Sequence, residues 1–292
     1  MKAGFVGLGI MGRPQALNLM KAGHTMAVWA RRRESMLPLV GAGATACASP
    51  GEAAALADVV FVMVSDTPDV EQVIFGPKGI IEGARPGTVV VDMSTISPVA
   101  TRDMANRLAE KGMEMLDAPV SGGEVGAING TLSIMVGGKP EAFATVKPLF
   151  ECMGKNIVHI GANGAGQVAK ACNQIVGAVT LEAVSEALTL ARRTGVDPVK
   201  VRDALMGGFA YSKVLEIHGR RILERDFKPG FKAKLHRKDL KIVTDTAVHL
   251  GLTLPQASLI ASHLNALVGL GCGDEDSAAV VKVIERAAGE VR

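Results

Sequence analysis

The sequence predicts a doubly wound α/β sheet followed by an all-α C-terminal half, the two joined by one long helix. Three observations carry this. Strand-length apolar runs alternate with helix-spaced segments through residues 1–162. The stretch 167–193 then has no breaker except Gly177. Beyond it, to residue 292, only helical spacing recurs. The boundary is accordingly placed between 162 and 163.

Residues 2–6 form a short apolar run ending in glycines, and 11–22 follow with Ala16, Leu17 and Met20 on one side of a helix. Residues 25–30 supply a second strand after Gly23, which completes a βαβ unit, and its helical crossover requires parallel pairing. Runs at 59–64 and 88–91 are continuously apolar, as strands buried on both faces are. Further strands are expected at 114–116, 132–136 and 156–160, with a helix over 141–153. After the long helix, Asp197-Pro198 starts a helix that Gly207-Gly208 ends. Helical patterns resume at 212–223, 235–250, 255–268 and 277–288. No internal repeat is visible.

A chain of 292 residues with 48% hydrophobic content buries a large core and divides naturally into two domains. A formal charge of +3 and 3% aromatic residues argue against a nucleic-acid partner. Cys47, Cys152, Cys172 and Cys272 lie far apart, without a Cys-x-x-Cys pair or a His at ligand spacing. No metal site or disulfide framework is expected, and a reducing cytoplasm fits best. The N-terminus is too short and glycine-rich before Gly9 to be a signal-peptide core. The apolar stretch 175–190 is interrupted by Glu182 and Glu186, so it is read as a buried helix and not a membrane span.

Gly7-Leu8-Gly9-Ile10-Met11-Gly12 follows the first strand and opens the first helix, the context that a dinucleotide-binding fingerprint requires. Gly7 permits the tight turn, Gly9 lets the backbone approach a pyrophosphate, and Gly12 lets helix pack on strand. The expected fold is therefore a Rossmann domain. At the end of the second strand, where a carboxylate would hold a free ribose 2′-hydroxyl, the sequence reads Ala30-Arg31-Arg32-Arg33. Arginine there pairs with a 2′-phosphate, so NADP(H) is the expected coenzyme, with NAD(H) possible and Arg31 the expected contact; the alternative is a solvated basic loop.

With its glycine loop extended to Arg13-Pro14, the chain resembles the β-hydroxyacid dehydrogenase family over its whole length. The other landmarks are Asp92-Met93-Ser94-Thr95, Asp117-Ala118-Pro119-Val120-Ser121-Gly122-Gly123, Gly166-Gln167-Val168-Ala169-Lys170-Ala171-Cys172-Asn173 and Lys238-Asp239. Within that family, residues 118–138, Leu205-Met206-Gly207-Gly208-Phe209-Ala210 and Phe227-Lys228-Pro229-Gly230-Phe231-Lys232 look most like tartronate semialdehyde reductases. Gln15 and Ala30 depart from the usual Met and Asn of such proteins.

Reducing an aldehyde needs a hydride and a proton for the developing alkoxide. The resemblance makes Lys170 the acid, with Asn173, three residues on along the helix, orienting it or a substrate hydroxyl; Gln174 is placed less securely on that face. Ser121, Gly122 and Gly123 offer a hydroxyl and consecutive amides, and the resemblance assigns them to the substrate carboxylate over a plain turn. Thr95 is implied to contact the coenzyme; unaided, it reads as the cap of the helix near Pro98. Lys238 is implied to reach the coenzyme, although alone it reads as solvated. Phe231 is either pocket wall or core, and His236 has no apparent partner ligand. The implied substrate is a small carboxylated aldehyde or hydroxyacid, with succinic semialdehyde, glyoxylate and 3-hydroxyisobutyrate as alternatives and a silent dinucleotide-binding module as the non-enzyme alternative. The apolar helical half implies a homo-oligomer, dimer or tetramer.

Overall fold

The computed structural model describes residues 1–290. The chain forms two compact units, Met1–Lys170 and Ala171–Arg292.

The first unit holds strands β1 (Lys2–Val6), β2 (Thr25–Trp29), β3 (Thr45–Ala46), β4 (Val59–Val62), β5 (Val89–Asp92), β6 (Glu114–Asp117), β7 (Val120–Ser121), β8 (Leu132–Gly137) and β9 (Gly154–Gly161). Its helices are α1 (Gly12–Lys21), α2 (Leu37–Gly41), α3 (Pro50–Ala55), α4 (Thr67–Phe75), α5 (Ile80–Gly83), α6 (Pro98–Ala109), α7 (Gly123–Asn129) and α8 (Pro140–Glu151). The sheet runs β3-β2-β1-β4-β5-β6-β8-β7, with β9 on β8. The first six strands are parallel, in the order of a Rossmann sheet. Past β6 the sheet changes character: β8 is antiparallel to both β6 and β7, and β9 is parallel to β8.

Burial on both faces explains the apolar runs. Alternate residues of one strand point to opposite sides. Phe5, Val28, Phe61 and Val91 therefore join one core, and Val6, Val60, Val62 and Val90 the other. Phe5 stacks on Phe61 at 5.8 Å, and Phe150 of α8 meets Phe61 edge-on at 6.3 Å. Each such side chain contributes about 1.5–3 kcal/mol by its burial.

The long helix is α9 (Ala165–Arg193), followed by α10 (Pro198–Met206), α11 (Arg220–Glu224), α12 (Ala233–His249), α13 (Pro255–Gly269) and α14 (Val281–Ala287). Asp197 caps α10, accepting from the Val199 amide at 2.9 Å. Ala178, Leu181, Val184 and Leu188 of α9 line the helical core with Leu240 and Val243 of α12 and Ile260, Leu264 and Leu267 of α13. By length and composition α9 could cross a membrane, but half of its most apolar stretch is buried, as in a core helix. Glu182 inside that stretch is paired with His263 at 2.5 Å. The pattern predicted at 212–223 resolves into a π-helical turn, Leu215–Gly219, running into α11.

Candidate active site

The glycine loop sits at the carboxyl end of β1. Gly7 has φ +96°, and a Cβ there would overlap the Met63 carbonyl. A Cβ on Gly12 would overlap the Gly7 carbonyl oxygen, so these two glycines are required by backbone packed against backbone. Gly9 differs, because a Cβ there would meet nothing within 4 Å. This open space lies above a ten-residue helix whose N-cap, Met11, supplies no side-chain cap. A pyrophosphate fits this cradle: the helix terminus supplies amides, and Gly9 leaves the approach clear. Leu8 is buried beneath the loop and Ile10 half exposed on it.

At the tip of β2, Ala30 is buried and Arg31 to Arg33 are exposed. The Arg31 guanidinium lies 3.7 Å from the Asp69 carboxylate at the start of α4. The arginine side chain is 85% exposed, so solvent screens this pair and leaves Arg31 available to a ligand.

The segment after β5 carries Thr95. Asp92 accepts from the Ser94 amide at 3.0 Å, and the Ser94 hydroxyl accepts from the Val64 amide at 3.0 Å. This ties the Thr95 segment to the residues just after β4, where a Cβ on Gly7 would strike the Met63 carbonyl. The capping function falls to Ser97, which accepts from Ala100, and not to Thr95.

Lys170 lies in the second turn of α9, 7% exposed. The start of that helix is fastened by Asp117, the last residue of β6, which accepts from the amides of Gly164 at 2.8 Å and Gln167 at 2.9 Å. Burial pushes the Asp117 carboxyl up, against the pull of these amides. The Gln167 side chain accepts from Ile96 N–H at 3.1 Å and donates to the Ser94 carbonyl at 2.8 Å.

Ser121 closes β7, and Gly122 and Gly123 follow with φ of +135° and +62°. Consecutive left-handed residues turn the chain from strand to helix α7 in one step. Asn18 of α1 donates to the Ala127 carbonyl of α7 at 2.8 Å. A groove of about 220 Å³ runs between these two helices, lined by Ile10, Arg13, Asn18, Glu124 and Ile128 among others. The structure thus brings the helix that follows the Ser121 loop alongside the helix that follows the glycine loop.

In the helical unit, Asn173 donates to the Gln174 side-chain oxygen at 2.8 Å. Gln174 donates to Asp239 at 2.6 Å, and Lys238 pairs with Asp239 at 2.9 Å. Asn173 and Lys238 are therefore ends of one polar chain. The Phe231 ring lies 5.4 Å from that of His236. Its amide donates to Asp276 at 3.0 Å, beside Arg221 at 2.7 Å from the same carboxylate. Burial pushes the Asp276 carboxyl up, but hydrogen bonds from His218, Phe231 and Ala278 outweigh it and hold the group well below the usual carboxylate range. Among the described residues, no group of His, Cys, Asp and Glu is arranged to hold a metal ion.

Residues 2–161 match the family described as the NAD binding domain of 6-phosphogluconate dehydrogenase, and residues 164–284 that described as NAD-binding of NADP-dependent 3-hydroxyisobutyrate dehydrogenase. The chain belongs to the β-hydroxyacid dehydrogenase family.

This β-hydroxyacid dehydrogenase is 48% identical to a 2-hydroxy-3-oxopropionate reductase of Escherichia coli, over 98% of the chain and 97% of the relative. It is 37% identical to an NAD-dependent L-serine dehydrogenase of Pseudomonas aeruginosa, over 98% of each. A solved 3-hydroxyisobutyrate dehydrogenase of Mycobacterium tuberculosis, with L-serine, matches at a TM-score of 0.90 and 34% identity, over 97% of the chain and 98% of that structure. The dehydrogenase is thus an oxidoreductase acting on CH–OH with a nicotinamide dinucleotide. A further residue of α9 joins the polar chain between Asn173 and Lys238. Gln174 is buried and links Asn173 to Asp239. Its spacing of four from Lys170, the closest approach to the same helical face, is the signal that could have found it.

Proposed function

We propose that this β-hydroxyacid dehydrogenase is a 2-hydroxy-3-oxopropionate (tartronate semialdehyde) reductase, interconverting that aldehyde with D-glycerate and preferring NADP(H) while accepting NAD(H). The observation that carries this reading is the 48% identity to the Escherichia coli reductase over nearly the full length of both chains. The coenzyme, when bound, supplies the hydride. The chain supplies the rest.

Gly7, Leu8, Gly9, Ile10, Met11 and Gly12 bind the pyrophosphate, and Arg31 takes the 2′-phosphate in place of Asp69. Thr95 and Lys238 hold the coenzyme. Ser121, Gly122 and Gly123 bind the substrate carboxylate through hydroxyl and backbone N–H, and Phe231 forms pocket wall. Lys170 delivers the proton to the carbonyl oxygen as the alkoxide develops, and Asn173 orients it. Burial of Lys170 supports this, because an ammonium withheld from water interacts more strongly with a developing oxyanion. We assign the enzyme to the cytoplasm, in keeping with its four free cysteines, and read it as a homo-oligomer assembled through the helical unit.

A substrate panel tests the reading. Coenzyme oxidation is followed with 2-hydroxy-3-oxopropionate, succinic semialdehyde and glyoxylate, and coenzyme reduction with 3-hydroxyisobutyrate and L-serine. The highest kcat/KM is expected for 2-hydroxy-3-oxopropionate. Failure to turn it over, with turnover of another, overturns the assignment.

A further inference from the structure

Gln167 is 2% exposed, and both ends of its amide are bonded to backbone outside its own helix. The oxygen accepts from Ile96 N–H and the nitrogen donates to the Ser94 carbonyl, so the side chain grips the chain on either side of Thr95. Its own amide donates to Asp117, which also holds Gly164. One residue therefore fixes the first turn of α9 to β6 and to the segment after β5. Lys170 follows three residues later in the same helix, a rise of about 4.5 Å.

We infer that Gln167 is a positioning residue for the reaction, setting the spacing between Lys170 and the Thr95 segment. The inference rests on the proposed role of Lys170. The amide suits this position, because the site asks for a donor toward a carbonyl and an acceptor from an N–H in one planar group. Ionised Glu has no donor for the Ser94 carbonyl, and Met has no donor and only a weak thioether acceptor. Met, or Glu in its ionised form, leaves a buried backbone polar group unmatched, and the first turn of α9 shifts to relieve it. Lys170 moves with that turn. Misplacement of a reacting group by about 1 Å slows a reaction by roughly a hundredfold, whereas the glycine loop and Arg31 make no bond to Gln167.

The test compares Gln167→Glu and Gln167→Met with the wild type and with Lys170→Ala, using the best substrate of the panel. NADPH fluorescence on binding counts competent sites and gives coenzyme affinity, and coenzyme deuterated at the transferred position gives the isotope effect on kcat. For at least one Gln167 variant that binds NADPH, we expect kcat per site to fall about tenfold or more. Coenzyme Kd should stay within about threefold, with an isotope effect no smaller than the wild type's. Unchanged kcat per site, a loss matched by equal loss of coenzyme affinity, a diminished isotope effect or absence of NADPH binding in both variants overturns the inference. Lys170→Ala separates the two readings. If it retains turnover, the role of Lys170 has failed; if it is inactive while the Gln167 variants turn over normally, only the positioning role has failed.

Discussion

Single residues of the coenzyme cradle divide by what a methyl group would strike. Gly12→Ala drives a Cβ into the Gly7 carbonyl, and the helix must move off β1, so we expect a loss of stability of about 1–3 kcal/mol together with loss of coenzyme binding. Gly9→Ala places its methyl in open space. It should unfold at the wild-type temperature while coenzyme Kd rises about tenfold or more, because the methyl stands where the charged pyrophosphate meets backbone amides. Thermal melts beside coenzyme titrations check both, and a Gly9→Ala protein with unchanged affinity would remove Gly9 from the cradle. Arg31 makes a second, independent case. Its pairing with Asp69 at 3.7 Å is solvent-screened, so a 2′-phosphate displaces it at small loss. Arg31→Ala should raise the KM for NADPH about ten- to a hundredfold and leave that for NADH nearly unchanged. Equal rises would show that the arginine does not read the phosphate.

At the scale of elements, the segment carrying Phe231 depends on a carboxylate far away in the chain. Asp276 accepts from the amides of Gly230, Phe231 and Ala278 and pairs with Arg221. Asp276→Asn keeps the shape but presents an NH2 to donors and leaves Arg221 without its counter-charge. A loss of about 3–5 kcal/mol is expected in urea unfolding, the range for breaking a buried pair. Because the folded state depresses this carboxyl below its ordinary 3.8, it binds fewer protons folded than unfolded between the two values. Its stabilisation is therefore complete above about pH 4 and is lost as pH falls through the folded value. The variant should lack that acid-labile component, and an identical acid slope in both proteins would exclude Asp276 as its source. Nothing in the sequence near Phe231 announces Asp276, since a contact across 45 residues has no local periodicity. The same reason hid the contacts of Gln167 with Ile96 and Ser94 and of Gln174 with Asp239. Long apolar strands, the glycine loop and α9 were legible because burial and helical spacing repeat within a few residues. β3 and β7, two residues each, lie below that length, and the π-helical turn at Leu215–Gly219 preserves the apolar spacing of an ordinary helix.

At the scale of the whole molecule, the two units pose different surface problems. The sheet unit buries the parallel strands β1, β4 and β5 under its own helices, whereas α9 leaves Val176, Ala183 and Leu190 exposed at intervals of seven residues. Val176 and Leu190 are 67% and 66% exposed, and a seven-residue interval keeps them on one stripe of the helix. Thr180 and Ala187 flank the stripe with small side chains, and a Cβ on Gly177 would meet nothing within 4 Å. A second copy of such a helix can approach closely along this line, which is how the helical unit would assemble a homo-oligomer. Paired Val176→Asp and Leu190→Asp substitutions would bury charges in that contact. We expect light scattering to find the wild type as a dimer or tetramer at micromolar concentration and the double variant at the mass of a single chain, with coenzyme binding retained. A wild-type protein already at single-chain mass would dismiss the assembly altogether. A double variant that keeps the wild-type mass would place the contact on another face.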